Sequence, residues 1–201
     1  MGRHVAPDDK DFQESQKVVC FTETPIEHAW MMCTGIEGRE NGFGPYGLAF
    51  TKVWARSQHA NPVWYLDIST RGGADWLTVP FEQLRDDAAA AAQGSGRSLS
   101  EYPIAQLLPF VEQMGPTRYH RKEFWWEREW RHVGHFRIEW CHIVAIFAPH
   151  DDHTKLTGAM TDMAVPSYPR PPFLDPNWGL ERMISALRGV PAEEAGPLPP
   201  L

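Results

Sequence analysis

The stretch that most constrains this chain is Glu123–Arg131, Glu-Phe-Trp-Trp-Glu-Arg-Glu-Trp-Arg, which packs three Trp, three Glu and two Arg into nine residues. Large apolar area and dense charge in one short segment require that the two be sorted onto different faces. Read as a helix, Trp126 and Trp130 stack at i,i+4 and Glu127 pairs with Arg131. Read as a strand, Phe124, Trp126, Arg128 and Trp130 point one way, and Trp125, Glu127, Glu129 and Arg131 the other. Aromatics favour strands, and the apolar run Ile143–Phe147 follows as an expected partner, so the strand reading is preferred. It sets Glu127 and Glu129 on one face, two residues apart, as the one constellation that looks like chemistry.

A length of 201 residues with 42% hydrophobic and 22% charged content supports a folded core. The net charge of −7 argues against a broad nucleic-acid-binding surface. A local basic patch, Arg118, His120, Arg121 and Lys122, directly precedes the aromatic run. Three scattered cysteines (Cys20, Cys33, Cys141) make no disulfide framework, and no apolar run reaches membrane-span length. With no signal-peptide core after Met1, the expected location is the cytoplasm, without membrane association.

Along the chain, residues 1–17 read as a polar lead-in and 18–153 as the folded core. Val18–Thr22 reads as a strand. Thr24-Pro25-Ile26-Glu27 reads as a capped helix start, with Ile26, Ala29, Trp30 and Cys33 on one face. Gly35–Pro45 is a loop, Tyr46–Thr51 a strand, Lys52–Gln58 a short helix, Asn61-Pro62 a turn and Val63–Ile68 a strand. Gly72-Gly73 opens a second loop. Pro80–Gln93 reads as a helix broken by Gly94-Ser95-Gly96, and Glu101–Met114 as a short or kinked helix. Thr117–His132 and Phe136–Phe147 would close the core as antiparallel strands joined at Gly134. Residues 154–201 form a Pro-rich extension, holding nine of the eighteen prolines between Pro166 and Pro200. It carries one amphipathic helix, about 178–188, capped by Asn177 and ended by Gly189, which should dock on the core or on a partner. The fold class is therefore α+β, with compact mixed sheets and flanking helices.

Three pieces in order resemble the AbiGi-type abortive-infection family of bacterial phage-defence proteins. They are Val19-Cys20-Phe21-Thr22-Glu23-Thr24-Pro25-Ile26; Tyr46-Gly47-Leu48-Ala49-Phe50-Thr51-Lys52 with Trp54 and Asn61-Pro62-Val63-Trp64-Tyr65; and Trp126-Glu127-Arg128-Glu129-Trp130-Arg131. The resemblance implies a toxin–antitoxin-like pair with a cognate toxin or antitoxin protein, and a core related to the ADP-ribosyltransferase fold. Such a fold would hold NAD between two small sheets, with Glu129 stabilising charge on the ribose and Glu127 orienting the acceptor, a protein or a nucleic acid. Thr22, Tyr46, Tyr65 and Arg131 would line the cofactor. The His-Phe-Thr strand that relatives carry at the N-terminus is not found before Val18, which points instead to a non-catalytic, partner-binding domain.

Each of these residues also has a structural use. Glu127 and Glu129 can form an ion-pair ladder with Arg128 and Arg131, Tyr46 and Tyr65 can be core, and Thr24 and Glu27 can be caps. His132-x-x-His135, Cys141-His142 and His150-x-x-His153 offer metal donors but lack paired Cys-x-x-Cys spacing, so no metal is expected. Walker and Gly-x-Ser-x-Gly motifs are absent from the sequence, and no Gly-x-Gly-x-x-Gly stands between a strand and a helix as the dinucleotide fingerprint requires, which sets those enzyme classes aside.

Overall fold

The computed structural model describes residues 9–35, 42–67, 75–116, 121–163 and 170–190. Its helices are α1 (Lys10–Ser15), α2 (Ala29–Met32), α3 (Lys52–Ser57), α4 (Asp75–Ser95), α5 (Pro103–Leu107), α6 (His153–Asp162) and α7 (Leu180–Arg188). Its strands are β1 (Val18–Thr22), β2 (Gly47–Phe50), β3 (Asn61–Pro62), β4 (Trp64–Asp67), β5 (Val111–Pro116), β6 (Arg121–Lys122), β7 (Glu129–Val133), β8 (Ile143–Phe147) and β9 (Phe173–Leu174). The fold is α+β, and the chain divides into two compact units, residues 1–23 with 56–137 and residues 24–55 with 138–201.

The first unit contains two small sheets. In one, β7 is central, antiparallel to β1 with Thr22 opposite Glu129 and to β3 with Asn61 opposite Arg131. In the other, β5 lies parallel to β4 and antiparallel to β6. Helix α4 covers this region through Phe81, which packs with Leu66 and Ile104, while Phe12 of α1 packs with Ala92, Leu99 and Ala105. The polar lead-in is thus partly helical. Asp9 caps α1 by accepting the Phe12 N–H at 3.0 Å, and its second oxygen accepts the Leu99 N–H at 2.9 Å.

In the second unit β8 is central, antiparallel to β2 and parallel to β9. Leu174 and Met183 are fully buried and pack with Ala145 under Ile26, Ala49 and Trp178. Met183 is what docks α7 here: it is the inward residue of the amphipathic turn. The helix begins at Leu180 after Gly179 rather than at Trp178, because Asn177 is spent in a turn, its N–H donating to Asp175 at 2.8 Å. Gly189 closes it in the left-handed region, φ 66°, where a side chain would be strained.

Several expectations are corrected. The closing pair does not exist: β7 and β8 are centres of different sheets. Gly134, at φ 80°, turns the chain out of β7, and its N–H donates to the Lys17 carbonyl. Asn61-Pro62 is a short edge strand, a place that tolerates proline because its missing N–H is not needed there. Val111–Pro116 is a strand because it pairs in parallel with β4, and the preceding helical stretch ends in the 3-10 turn Leu108–Phe110. Helix α4 starts five residues before Pro80, which loses one hydrogen bond inside it. The Thr24 capping box does not form: Thr24 Oγ1 contacts Met32 Sδ at 3.9 Å, and a 3-10 turn, Ile26–His28, precedes α2. Trp30, expected on the packing face, is about half exposed. Arg118, His120, Gly72-Gly73 and the middle of the Gly35–Pro45 loop lie outside the described residues, as does most of the Pro-rich extension on either side of residues 170–190.

Candidate functional site

The aromatic run does not continue as a strand. Trp125–Glu127 forms a 3-10 turn, closed by the Glu127 N–H to the Phe124 carbonyl at 3.0 Å. Arg128 follows in the left-handed region, φ 51° and ψ 51°, which costs a residue with a side chain about 1 kcal/mol or more. Contacts to the end of β1 offset that cost. Thr22 Oγ1 donates to the Glu127 carbonyl at 2.6 Å, the Glu23 N–H donates to the Arg128 carbonyl at 3.2 Å, and the Arg128 guanidinium reaches the Glu23 carboxylate at 3.3 Å. Trp130 Nε1 donates to the same carboxylate at 3.0 Å. The turn re-aims the chain, so Glu127 and Glu129 do not stand on one strand face. Glu127 is buried in the turn, and Glu129 opens β7.

Within β7 the period-two rule holds, and Glu129 and Arg131 share a face. Arg131 Nε and Nη2 donate to the two oxygens of Glu129 at 2.8 and 3.1 Å. Nη2 also reaches Glu112 at 2.9 Å, and Nη1 donates to the Pro109 carbonyl at 2.8 Å. Lys122 Nζ donates to the other Glu112 oxygen at 2.8 Å, and the Tyr65 hydroxyl donates to Glu129 at 3.1 Å. Four strands and the turn before β5 therefore meet in one network, with the Arg131 guanidinium bonded directly to Glu129, Glu112 and the Pro109 carbonyl.

The electrostatics follow from that closure. Burial works against the Arg131 cation, but hydrogen bonds to Glu129 and Glu112 outweigh it and raise its pKa further above the arginine range. Burial would raise the Glu112 carboxyl, yet the bonds from Lys122 and Arg131 hold it below the ordinary value. Tyr65 is pushed up, first by burial and then by the negative charges of Glu129 and Glu127, so both acids act on one phenol. Cys20, opposite Arg131 across β1 and β7, is exposed as a residue, but its thiol loses solvation on the network side. That loss, with the Glu129 carboxylate beside it, pushes the thiol up to about 11.

The family described as "Putative abortive phage resistance protein AbiGi, antitoxin" matches residues 7–153, well over half of the sequence. The chain belongs to the AbiGi family. No curated protein and no solved structure matches it. As a family member it is an abortive-infection, phage-resistance protein of a kind described as antitoxin.

The residues singled out in this AbiGi chain fall in different places. Glu129, Arg131 and Tyr65 meet in the network, Thr22 braces the turn that holds Glu127, and Tyr46 lies in the second unit, its hydroxyl donating to Asp152 at 2.6 Å. Glu112, Glu23 and Lys122 complete the charge pattern. Glu112 escapes a reading of the sequence because its segment, the strand Val111–Pro116, looks helical and shows no alternation of apolar and polar residues. A shallow cavity of about 260 Å³ in the same unit is lined by Ala105, Pro109 and Val133, and none of Glu112, Glu127, Glu129 or Tyr65 lines it. Among the described residues no helix is long and apolar enough to cross a membrane. Of the histidine pairs, His132 Nε2 lies 3.1 Å from the His135 carbonyl, and His153 Nε2 lies 3.0 Å from the Ala148 carbonyl.

Proposed function

We propose that this AbiGi chain is the protein-binding member of an abortive-infection pair, docking on a cognate toxin protein through α7 and holding it inactive. The observation that carries the reading is the second apolar face of that helix. Met183 fastens α7 to its own sheet, while Leu180, Ile184 and Leu187, at i, i+4 and i+7, remain 45%, 47% and 40% exposed. An apolar stripe on a fixed helix is the shape that enters a partner's groove. The family's description as an antitoxin, matched over residues 7–153, supports a partner-binding role for the chain. Co-expression with the product of the neighbouring gene tests it. The two should co-purify, and Leu180→Glu with Ile184→Glu and Leu187→Glu should leave the fold intact and abolish the complex. Undiminished co-purification of the triple variant would refute the assignment.

A second reading is ADP-ribose transfer from NAD to a protein or nucleic acid, supported by the two acids that act on Tyr65. Here nicotinamide leaves with the electron pair of its glycosidic bond, Glu129 stabilises the oxocarbenium-like ribose, and Glu127 orients an acceptor that bonds to it and gives up a proton. Arg131 and Tyr65 already donate to Glu129, so the ribose would meet a carboxylate held in place by three hydrogen bonds. Labelled NAD incubated with wild type and Glu129→Gln, with protein and nucleic-acid acceptors present, decides it. Label transfer or NAD loss lost on substitution sustains the reading, and neither in the wild type ends it.

A further inference from the structure

The unit centred on β8 holds donor atoms that neither reading uses. Glu139 leaves extended backbone, and Trp140–His142 forms a 3-10 turn closed by the His142 N–H to the Glu139 carbonyl at 3.0 Å. Residues three apart eclipse in such a turn, so Glu139 and His142 stand side by side. His142 Nε2 is 3.8 Å from Glu139 Oε2, and Cys141 Sγ is 3.9 Å from the same oxygen. One ligating atom from each residue lies within 4.8 Å of the other two. With bonds of about 2.0–2.3 Å, donors around a tetrahedral zinc ion sit roughly 3.3–3.8 Å apart. The imidazole–carboxylate separation already has that spacing and is too long for a good hydrogen bond.

The imidazole is also held in orientation. Its ring stacks on Trp54, with centroids 3.7 Å apart and planes 13° from parallel. About a third of each of the His142 and Glu139 side chains is exposed, and Cys141 is exposed, so an ion can reach the cluster from solvent. A thiolate and an imidazole select against magnesium and calcium, which prefer all-oxygen sites, and favour zinc and its neighbours.

We propose that Glu139, Cys141 and His142 bind a thiophilic divalent cation of the zinc class, as three protein ligands that leave a fourth position to water or a further ligand. On binding, the Cys141 S–H bond breaks, its proton passes to solvent, and the sulfur electron pair forms the metal–sulfur bond, with no change of oxidation state.

Titrating the full chain with cobalt(II) after chelator treatment tests this. The expected result is a saturating 1:1 thiolate-to-cobalt charge-transfer band with four-coordinate visible bands, release of about one proton per ion, and displacement by stoichiometric zinc. Cys141→Ser should abolish the charge-transfer band. Glu139→Gln and His142→Gln should each weaken binding by at least about tenfold, the loss typical of disturbing even an outer partner of a metal ligand. No band in the wild type, or one unchanged by Cys141→Ser, would overturn the assignment. Should His142→Gln disturb the fold through Trp54, Cys141→Ser still reads the site, because that side chain lies outside the stack.

Discussion

Two short turns in this chain have the same form and opposite outcomes. Trp125–Glu127 precedes β7 and Trp140–His142 precedes β8; each is a 3-10 turn carrying Trp and ionisable residues at the mouth of a central strand. At the first, charge closes on charge: Glu127 is buried, and the guanidinium of Arg131 donates to two carboxylates and a carbonyl. At the second, imidazole and thiol stand 3.8 and 3.9 Å from one carboxylate oxygen, with exposed or partly exposed side chains. The difference lies in the neighbours. β7, which follows the first turn, faces β4, β5 and β6, which deliver Tyr65, Glu112 and Lys122, so its Glu129 and Arg131 are fixed in a closed network. Ionisable residues gathered at a strand entrance are thus architecture where other strands lock them in place, and on the assignment proposed above a ligand site where solvent reaches them.

Breaking the closed turn should have the largest effect. Arg131→Met leaves Glu129 and Glu112 facing each other with their main donor gone. Loss of one partner of a buried ion pair costs about 3–5 kcal/mol, and the partial exposure of these acids places the expected value near 3 kcal/mol. Urea unfolding measures it. The acid limb should change as well. Glu112 is held below its ordinary value in the folded chain, so its contribution is complete above that value and is lost as pH falls through the folded one. The variant should lose the share of that acid dependence that Arg131 supplies and keep the share due to Lys122. A loss under about 1 kcal/mol would class the network with ordinary surface pairs.

The same contrast explains what could be read in advance. The strand Val18–Thr22, the apolar end Ile143–Phe147 of the expected strand Phe136–Phe147, and the helix expected over Lys52–Gln58 and found over Lys52–Ser57 are legible because apolar patterning and turn residues bracket them locally. That Glu129 and Arg131 face the same way is also legible, since it needs only the pleat. The turn at Trp125–Glu127 is not. It depends on Thr22 and Glu23, more than a hundred residues earlier, stabilising a left-handed Arg128. Glu112 is hidden for a similar reason, because whether Val111–Pro116 is helix or strand is decided by pairing with β4. Cys141-His142 is visible as donors, but their convergence with Glu139 needs the eclipsed geometry of the turn.

A smaller change sharpens the account of the first turn. Tyr65→Phe removes one hydrogen bond to a charged, half-buried carboxylate, expected to cost about 1.5 kcal/mol at neutral pH. Its signature lies at high pH. The Tyr65 value in the folded chain is above the ordinary 10.0, so its contribution is complete below 10.0 and is lost as pH rises toward the folded value. The wild type should therefore lose more stability above pH 10 than the variant does. Parallel alkaline limbs would mean that the phenol does not feel Glu129 and Glu127.

The smallest effect is expected at the second turn, and it carries the other half of the comparison. Glu139→Gln keeps the size of a partly exposed side chain, so in chelator it should move the unfolding free energy by less than about 0.5 kcal/mol. With zinc at a hundred times its dissociation constant, the wild type should gain about 2.7 kcal/mol, because the ion binds the folded turn. The variant, binding at least about tenfold more weakly, should gain no more than about 1.4 kcal/mol at the same zinc concentration. A loss above 1 kcal/mol without metal would show that this turn, too, is closed on itself, and the distinction between the two strand entrances would fall. Equal unfolding free energies in chelator and unequal ones in zinc leave it standing, since only a group directed at a ligand changes stability with the ligand alone.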